Sequence, residues 1–491
     1  MKRFAVLTVV LLLVCFTVIS DMMIARRFMG DSLESDTPDI SEEHTSLWEE
    51  SDPLLEESTI SPEENTSFPT EDTTISEDTS LPEEATHPEE HYPEKEIEGL
   101  RFLLLDNDSY GVESTAQREY YQIPSVYQGK PVTEILRNGF QNITNLQFVM
   151  IPDSIKTIGD YAFSGCTALE YVAFGKDSQL LYLERGAFSN CTSLKSFSVP
   201  AKLRRIEKST FYRCTALSSV TFFDNNHLER IEEFAFYECT SLKNISLAQN
   251  TNLITIESHA FYHCTGLTSI EIPESVSVIE NAALKGCDSL VSITLPFVGT
   301  DANRAWQGCF SDIFGGVEKV PQSLHSVVVT NATSVSSYAF EYCSDLTSVV
   351  FSDRTVQIDY AAFRDCERLQ TVRLSSKMTK ISEFLFFYCS SLVTIHVPEN
   401  VTEIGENAFF NCIGLTSIVL PKGLKTVGES AFAGMENLSV YYGGNAEDWE
   451  SIDFALENDA LVFATRYYYS ETPPDSEGNY WHYVNGVPAA W

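Results

Sequence analysis

From Val132 onward, apolar residues fall at fixed places in a cycle that reads Ile-x-x-x-Ala-Phe-x-x-Cys-x-x-Leu-x-x-Ile-x-Ile-Pro. The Ile-x-Ile stretch alternates apolar and polar positions with period two, which predicts a short half-buried strand. The Ala-Phe-x-x-Cys-x-x-Leu run predicts a tighter helical or irregular turn. The key aromatic position is held by Phe140, Phe163, Phe188, Phe211, Phe236, Phe261, Leu284, Phe340, Phe363, Phe386, Phe409 and Phe432, at steps of 23 or 25 residues except one step of 56. A fixed period in the twenties marks a solenoid, in which each unit is one coil that buries its apolar face only against its neighbours. The long step is two short periods plus 10 residues, and Leu324 to Val329 still reads as a strand. One coil is therefore present there, interrupted by an insertion near 297–316. The expected fold is an α/β-type repeat solenoid of about 13 coils, about 60 Å long at ~4.8 Å per stacked strand.

The columns of the repeat separate stability from recognition. Phe fills the coil centre, and the Leu three residues after the Cys position, from Leu146 to Leu438, recurs as core geometry requires. Ten of the 12 cysteines share one repeat position, from Cys166 to Cys412, which Ile143 and Met435 occupy at the two ends. Stacked coils give parallel Cα–Cβ vectors, poor geometry for a disulfide, so a buried column of free thiols is expected. Cys309, in the insertion, is outside that column. The outward strand positions, Ser196/Ser198 through Ser417/Val419, form a hydroxyl-rich strip with few charges. Such residues also simply solvate an exposed sheet.

Two segments precede the repeats. Residues 31–98 carry 24 Asp/Glu against one basic residue, Lys95, a net of −23 within a chain of −38. Low hydrophobicity and one-sided charge predict a disordered, self-repelling linker, about 45 Å across at ~5.5 Å × √n and longer through charge repulsion. Residues 1–30 begin with Lys2 and Arg3 ahead of 16 uncharged, mostly apolar residues, Phe4 to Ile19. This predicts export, by a signal peptide or an N-terminal membrane anchor, since the run falls between the lengths typical of each. Membrane contact is expected only through that segment. The chain shows no basic footprint for phosphates, so nucleic acid is not an expected partner.

The phrases "IPSVYQGKPVTEI" (Ile123 to Ile135) and "LTSIVLPKGLKTVGESAF" (Leu415 to Phe432), with the ending "VYYGGNAEDWESI…", resemble the BspA-like, or Treponema-type, leucine-rich repeat surface proteins. The resemblance covers about Leu100 to Trp491. It implies a right-handed leucine-rich repeat coil with an N-terminal cap segment (99–131), a solenoid (132–442) and a C-terminal closing segment (443–491). It also implies a surface-exposed or secreted adhesion protein that binds host or extracellular-matrix protein. A glycan- or wall-binding protein using the terminal aromatics, and a structural spacer of a surface layer, are the alternatives.

Candidate binding residues lie on the outward strand face: Phe148, Met150 and Tyr171 at the N-terminal end, then Asn244, Glu271, Arg373 and His396. The first three form an aromatic and Met patch suited to a partner, unless the segment Leu100 to Gly129 covers it. The terminal aromatics, Tyr467, Tyr468, Tyr469, Tyr480, Trp481, Tyr483 and Trp491, fit either a cap or a sugar platform, with the cap favoured because a solenoid end must be closed. One motif invites a metal reading: "SHAFYHCTGL" sets His259 and His263 four apart beside Cys264. In other coils the two His positions hold Tyr161, Gly186, Ser209 and Phe234, or Gly165, Asn190, Arg213 and Glu238, as a solvated surface tolerates. No metal, cofactor or catalytic constellation is expected: there is no phosphate loop, nucleophile elbow or Cys-x-x-Cys pair.

Overall fold

A regular coil of the chain contributes two strands and one run of turns; the coil that begins at Ser292–Leu295 has 3-10 turns in place of its second strand. The computed structural model describes residues 99–304, 308–475, 478–484 and 487–491. The expected export segment and acidic linker lie outside the described residues. Those described fall within one contact unit, Glu89–Trp491.

The Ile-x-Ile stretches form the first strand column. Within each run of the ladder, successive strands are parallel and in register across one repeat: Ser196, Phe197, Ser198 and Val199 face Ser219, Val220, Thr221 and Phe222. Fifteen such strands stack, from Tyr120–Gln122 to Thr465–Tyr469. The periodic core accounts for about 13. The extra two come from the flanking segments, where Tyr120–Gln122 pairs with Phe148–Ile151 and Thr465–Tyr469 pairs with Ser439–Tyr442. A second column of two-residue strands runs from Thr157–Ile158 to Asp453–Phe454, again parallel, as in Arg205–Ile206 against Arg230–Ile231.

The Ala-Phe run is neither helix nor loose loop. It is a chain of overlapping tight turns, with the Ala162, Ser164 and Cys166 N–H groups donating to the carbonyls of Gly159, Tyr161 and Phe163 at 3.0–3.2 Å. The alternate N–H groups of Tyr161, Phe163 and Gly165 donate instead to the next coil, at the carbonyls of Arg185, Ala187 and Ser189, 2.8–2.9 Å away. Donors spent between coils cannot close helical turns, so the repeat dictates this geometry.

The core is continuous. Phe rings stack from coil to coil, Phe163 on Phe188 at 5.2 Å and Phe363 on Phe386 at 5.4 Å between centroids. The stack is interrupted at Leu284. Beyond it the insertion is itself packed: Phe297, Val298, Phe310, Ile313 and Phe314 are buried, and Phe310 lies 5.1 Å from Phe340 in the vacant aromatic position.

A candidate interaction face

The outward row of the first strand column changes character along the stack. At its N-terminal end Tyr120, Phe148 and Tyr171 stand in register on three neighbouring strands. Tyr120 and Phe148 stack at 5.5 Å with their rings nearly parallel, and Tyr171 carries the Lys195 ammonium 5.3 Å above its ring. Tyr120 is 47% and Tyr171 45% exposed, while Phe148 and Met150 are half-buried. The opening segment thus extends the sheet edge-on instead of lying over the patch. It adds a fourth member, Tyr120, that the repeat pattern did not reveal because it lies before the first Ala-Phe run.

In the middle of the stack the row is Ser196, Ser219, Asn244, Ser269 and Ser292, with Ser198 and Thr221 hydroxyls bonded across coils at 3.0 Å. Asn244 and Glu271 are exposed here on separate strands that do not share a ladder. Arg373 and His396 occupy the same outward position in adjacent coils, and both line one groove of about 380 Å³.

At the C-terminal end the chain returns over this face as a hairpin, Tyr480–Val484 antiparallel to Val487–Ala490. Trp481 is buried, donates its indole N–H to the Tyr442 carbonyl at 2.8 Å, and packs edge-on against Tyr441 and Tyr469. Tyr483 reaches His396, 3.4 Å from hydroxyl to Nε2. Val419, an outward position by periodicity, is buried.

His259 and His263 are not chosen for metal binding geometry. They are the two left-handed backbone positions of their coil, at φ 55° and 54°. Every aligned coil repeats the pair, for example Tyr161/Gly165, Asn407/Asn411 and Ser430/Gly434, and none of these places holds a β-branched residue. The variety at these positions is therefore limited by backbone shape as well as tolerated by solvent. His263 stacks on Tyr262 at 4.2 Å and lies over Gly286, where an added Cβ would come within 2.1 Å of its ring. Cys264 is turned into the core, donating to the Phe236 carbonyl at 3.2 Å. Among the described residues, no three His, Cys, Asp or Glu side chains converge.

That thiol contact is general, and the sequence reading of the column as merely apolar missed it. Cys166, Cys191, Cys214, Cys239, Cys264, Cys287, Cys366, Cys389 and Cys412 each donate to the carbonyl of the Phe in the preceding coil, at 3.0–3.3 Å. All eleven described cysteines are free, and only Cys309 is not fully buried. Burial pushes the Cys166, Cys214 and Cys287 thiols up to about 12 from an ordinary 9.0.

Two other outward features escape the repeat consensus. After each two-residue strand the consecutive coils carry Glu184, Glu207, Glu232, Glu257 and Glu280. Glu257 and Glu280 accept the Glu233 and Ser258 N–H groups of the preceding coil at 3.1 and 3.0 Å. Glu207 is pushed up to about 7 by burial, then by its hydrogen bond to and repulsion from Glu232 and repulsion from Glu184, with Arg205 opposing. On the turn face, Tyr212, Tyr237 and Tyr262 stack at 4.6 and 4.8 Å. Farther along, Phe387 stacks on Phe410 at 5.0 Å beside the exposed Tyr388.

Parallel ladders, a Phe–Leu core and a carbonyl-capping Cys column in each turn define a leucine-rich repeat solenoid. The profile of the BspA type leucine rich repeat region, present in six copies, matches residues 133–251, 223–313 and 321–441, and the chain belongs to that family. No curated protein matches the chain. Solved structures similar to it include a leucine rich cell surface protein from Faecalibacterium prausnitzii, 27% identical over 74% of this chain and 98% of that one, with a TM-score of 0.39. A leucine-rich repeat protein from Bacteroides ovatus is 21% identical over 74% and 100% of the two chains, TM-score 0.35. The pneumococcal vaccine antigen PcpA is 20% identical over 73% and 96%, TM-score 0.34.

Proposed function

We propose that this chain is an exported, surface-displayed binding protein without catalytic activity, holding a rigid repeat scaffold beyond an acidic linker to engage host or matrix protein. The observation that carries the reading is the row Tyr120, Phe148 and Tyr171, with Met150 beside it, standing partly exposed on three parallel strands. Large aromatics held by a sheet lose little conformational entropy on binding and supply the anchors on which protein interfaces depend. The hydroxyl-rich strands beyond them provide a polar margin that remains wet until contact. The terminal aromatics support a closing role, since Trp481 is spent on packing and on the Tyr442 carbonyl. The test is capture of the purified full chain on a panel of extracellular-matrix proteins, alongside Phe148→Ser/Tyr171→Ser. We expect at least one matrix protein to bind, with affinity at least tenfold weaker in the double variant at unchanged melting temperature. Equal capture of both forms would refute the proposed face, and capture of neither would refute matrix protein as the partner.

A further inference from the structure

The ladder of the first strand column is interrupted three times, after Tyr171–Phe174, after Asn244–Ile245 and between Thr371–Arg373 and Thr394–His396, and the last of these interruptions opens a cleft. The nearest rung before the break is the Val393 N–H to the Gln370 carbonyl, at 3.3 Å. Consequently the core residues Val372 and Leu374 each keep 8% exposure, where the equivalent Val349 and Phe351 one coil earlier have 0%. A cleft of about 380 Å³ opens along this break, floored by Val372, Leu374 and Pro398. That volume suits a small ligand, within the roughly 300–1,000 Å³ of ordinary ligand sites.

The polar groups at its rim are unevenly matched. Arg373 is the one cation lining the cleft; among the described residues it makes no hydrogen bond or close ion pair, and its charge acts on the Asp353 carboxyl only at longer range, as a minor contribution to holding that group below its ordinary value. Around it are acceptors: the carboxylates of Asp353 and Glu399 and the imidazole of His396. Asp353 is partly satisfied by the Ser376 N–H and hydroxyl, both at 3.1 Å, and Asn400 donates to the Ser376 carbonyl at 2.8 Å, so the rim is tied coil to coil. Burial, opposed by Glu399, holds His396 below the usual imidazole range, and its Nε2 already faces the Tyr483 hydroxyl at 3.4 Å. The Tyr483 ring of the returning hairpin stacks beside it, 6.1 Å between centroids.

We propose that this cleft is a second binding site, separate from the aromatic row, and that it takes a carboxylate-bearing sugar. Arg373 pairs with the acid group through its planar fork. The Glu399 carboxylate takes hydrogen bonds from ring hydroxyls, and the apolar floor with Tyr483 meets the C–H face of the ring. A bare carboxylate satisfies only Arg373 and leaves the surrounding acceptors desolvated without donors, a cost that a polyhydroxylated acid avoids. A neutral sugar leaves the guanidinium unpaired.

Titration calorimetry of the full chain with sialyllactose and with trigalacturonate tests this, using lactose and the trigalacturonate methyl ester as uncharged controls and acetate as a bare acid. We expect one or both acidic sugars to bind at least tenfold more tightly than their uncharged counterparts and than acetate. Which of the two binds identifies the source as a sialic acid or a hexuronate. Arg373→Gln should weaken that binding at least tenfold with the melting temperature unchanged, and Arg373→Lys should restore part of it. Sugar binding should persist in Phe148→Ser/Tyr171→Ser, so this proposal and the protein-binding reading fail independently. Equal binding of lactose and sialyllactose, no binding of either acidic sugar, or full affinity in Arg373→Gln would overturn it.

Discussion

At the scale of single residues, the cysteine column shows how a sequence signal is read correctly in part. Its periodicity, with Ile143 and Met435 at the ends, marks a buried position, and parallel coils disfavour disulfides. The sequence does not show what the thiol does there, because its partner is a carbonyl of the neighbouring coil, 26 or 28 residues away. The consequence is measurable. Each thiol has its folded-state titration raised, so it stabilises the fold fully below about pH 9 and loses that contribution as pH rises through about 12. We expect stability to fall steeply above pH 9 in denaturant titrations, and a thiol reagent at pH 8 to modify at most Cys309 among the described cysteines before unfolding. Rapid labelling of several thiols in the native protein would contradict the buried column.

At the scale of the element, the turn run is where sequence reading stopped short. Its hydrophobic spacing left helix and irregular turn unresolved, since both bury the same Phe, Cys and Leu. What decides it is inter-coil hydrogen bonding and two left-handed residues per coil, and only the missing β-branched residues hint at these in the sequence. His259→Val should therefore lower stability, by on the order of 1 kcal/mol, because a β-branched side chain tolerates the left-handed backbone less well than His, while His259→Gly should cost little; equal melting temperatures for the two variants would count against this assignment. The glutamate ladder gives a second test. Glu207 is raised from 4.5 to about 7, so its neutral form favours folding, and the contribution present at acid pH is lost as pH rises through 7. Glu207→Gln, which keeps the neutral shape beside Glu232, should raise the melting temperature at pH 8 and change it little at pH 4. A loss at pH 8 would show that the carboxylate is needed.

At the scale of the whole chain, the solenoid and its strand face were legible because a 23- or 25-residue period places every column. The ends were less so: Tyr120–Gln122 and Thr465–Tyr469 extend the stack without the Ala-Phe phrase, and the hairpin that returns over His396 joins residues 87 apart, beyond any local pattern. Phe148, Met150 and Tyr171 come together as the sequence suggested, and Arg373 with His396 share a cleft that only the break in the ladder creates. Asn244 and Glu271 gain no such company. The central claim is that a protein partner seats on the N-terminal aromatic row. Hydroxyl-radical footprinting of the full chain, alone and with the matrix protein it captures, tests this most directly because Tyr, Phe and Met are reactive reporters. The account predicts protection concentrated at Tyr120, Phe148, Met150 and Tyr171; protection confined to the turn face at Tyr388 and Phe410, with that row unchanged, would contradict it.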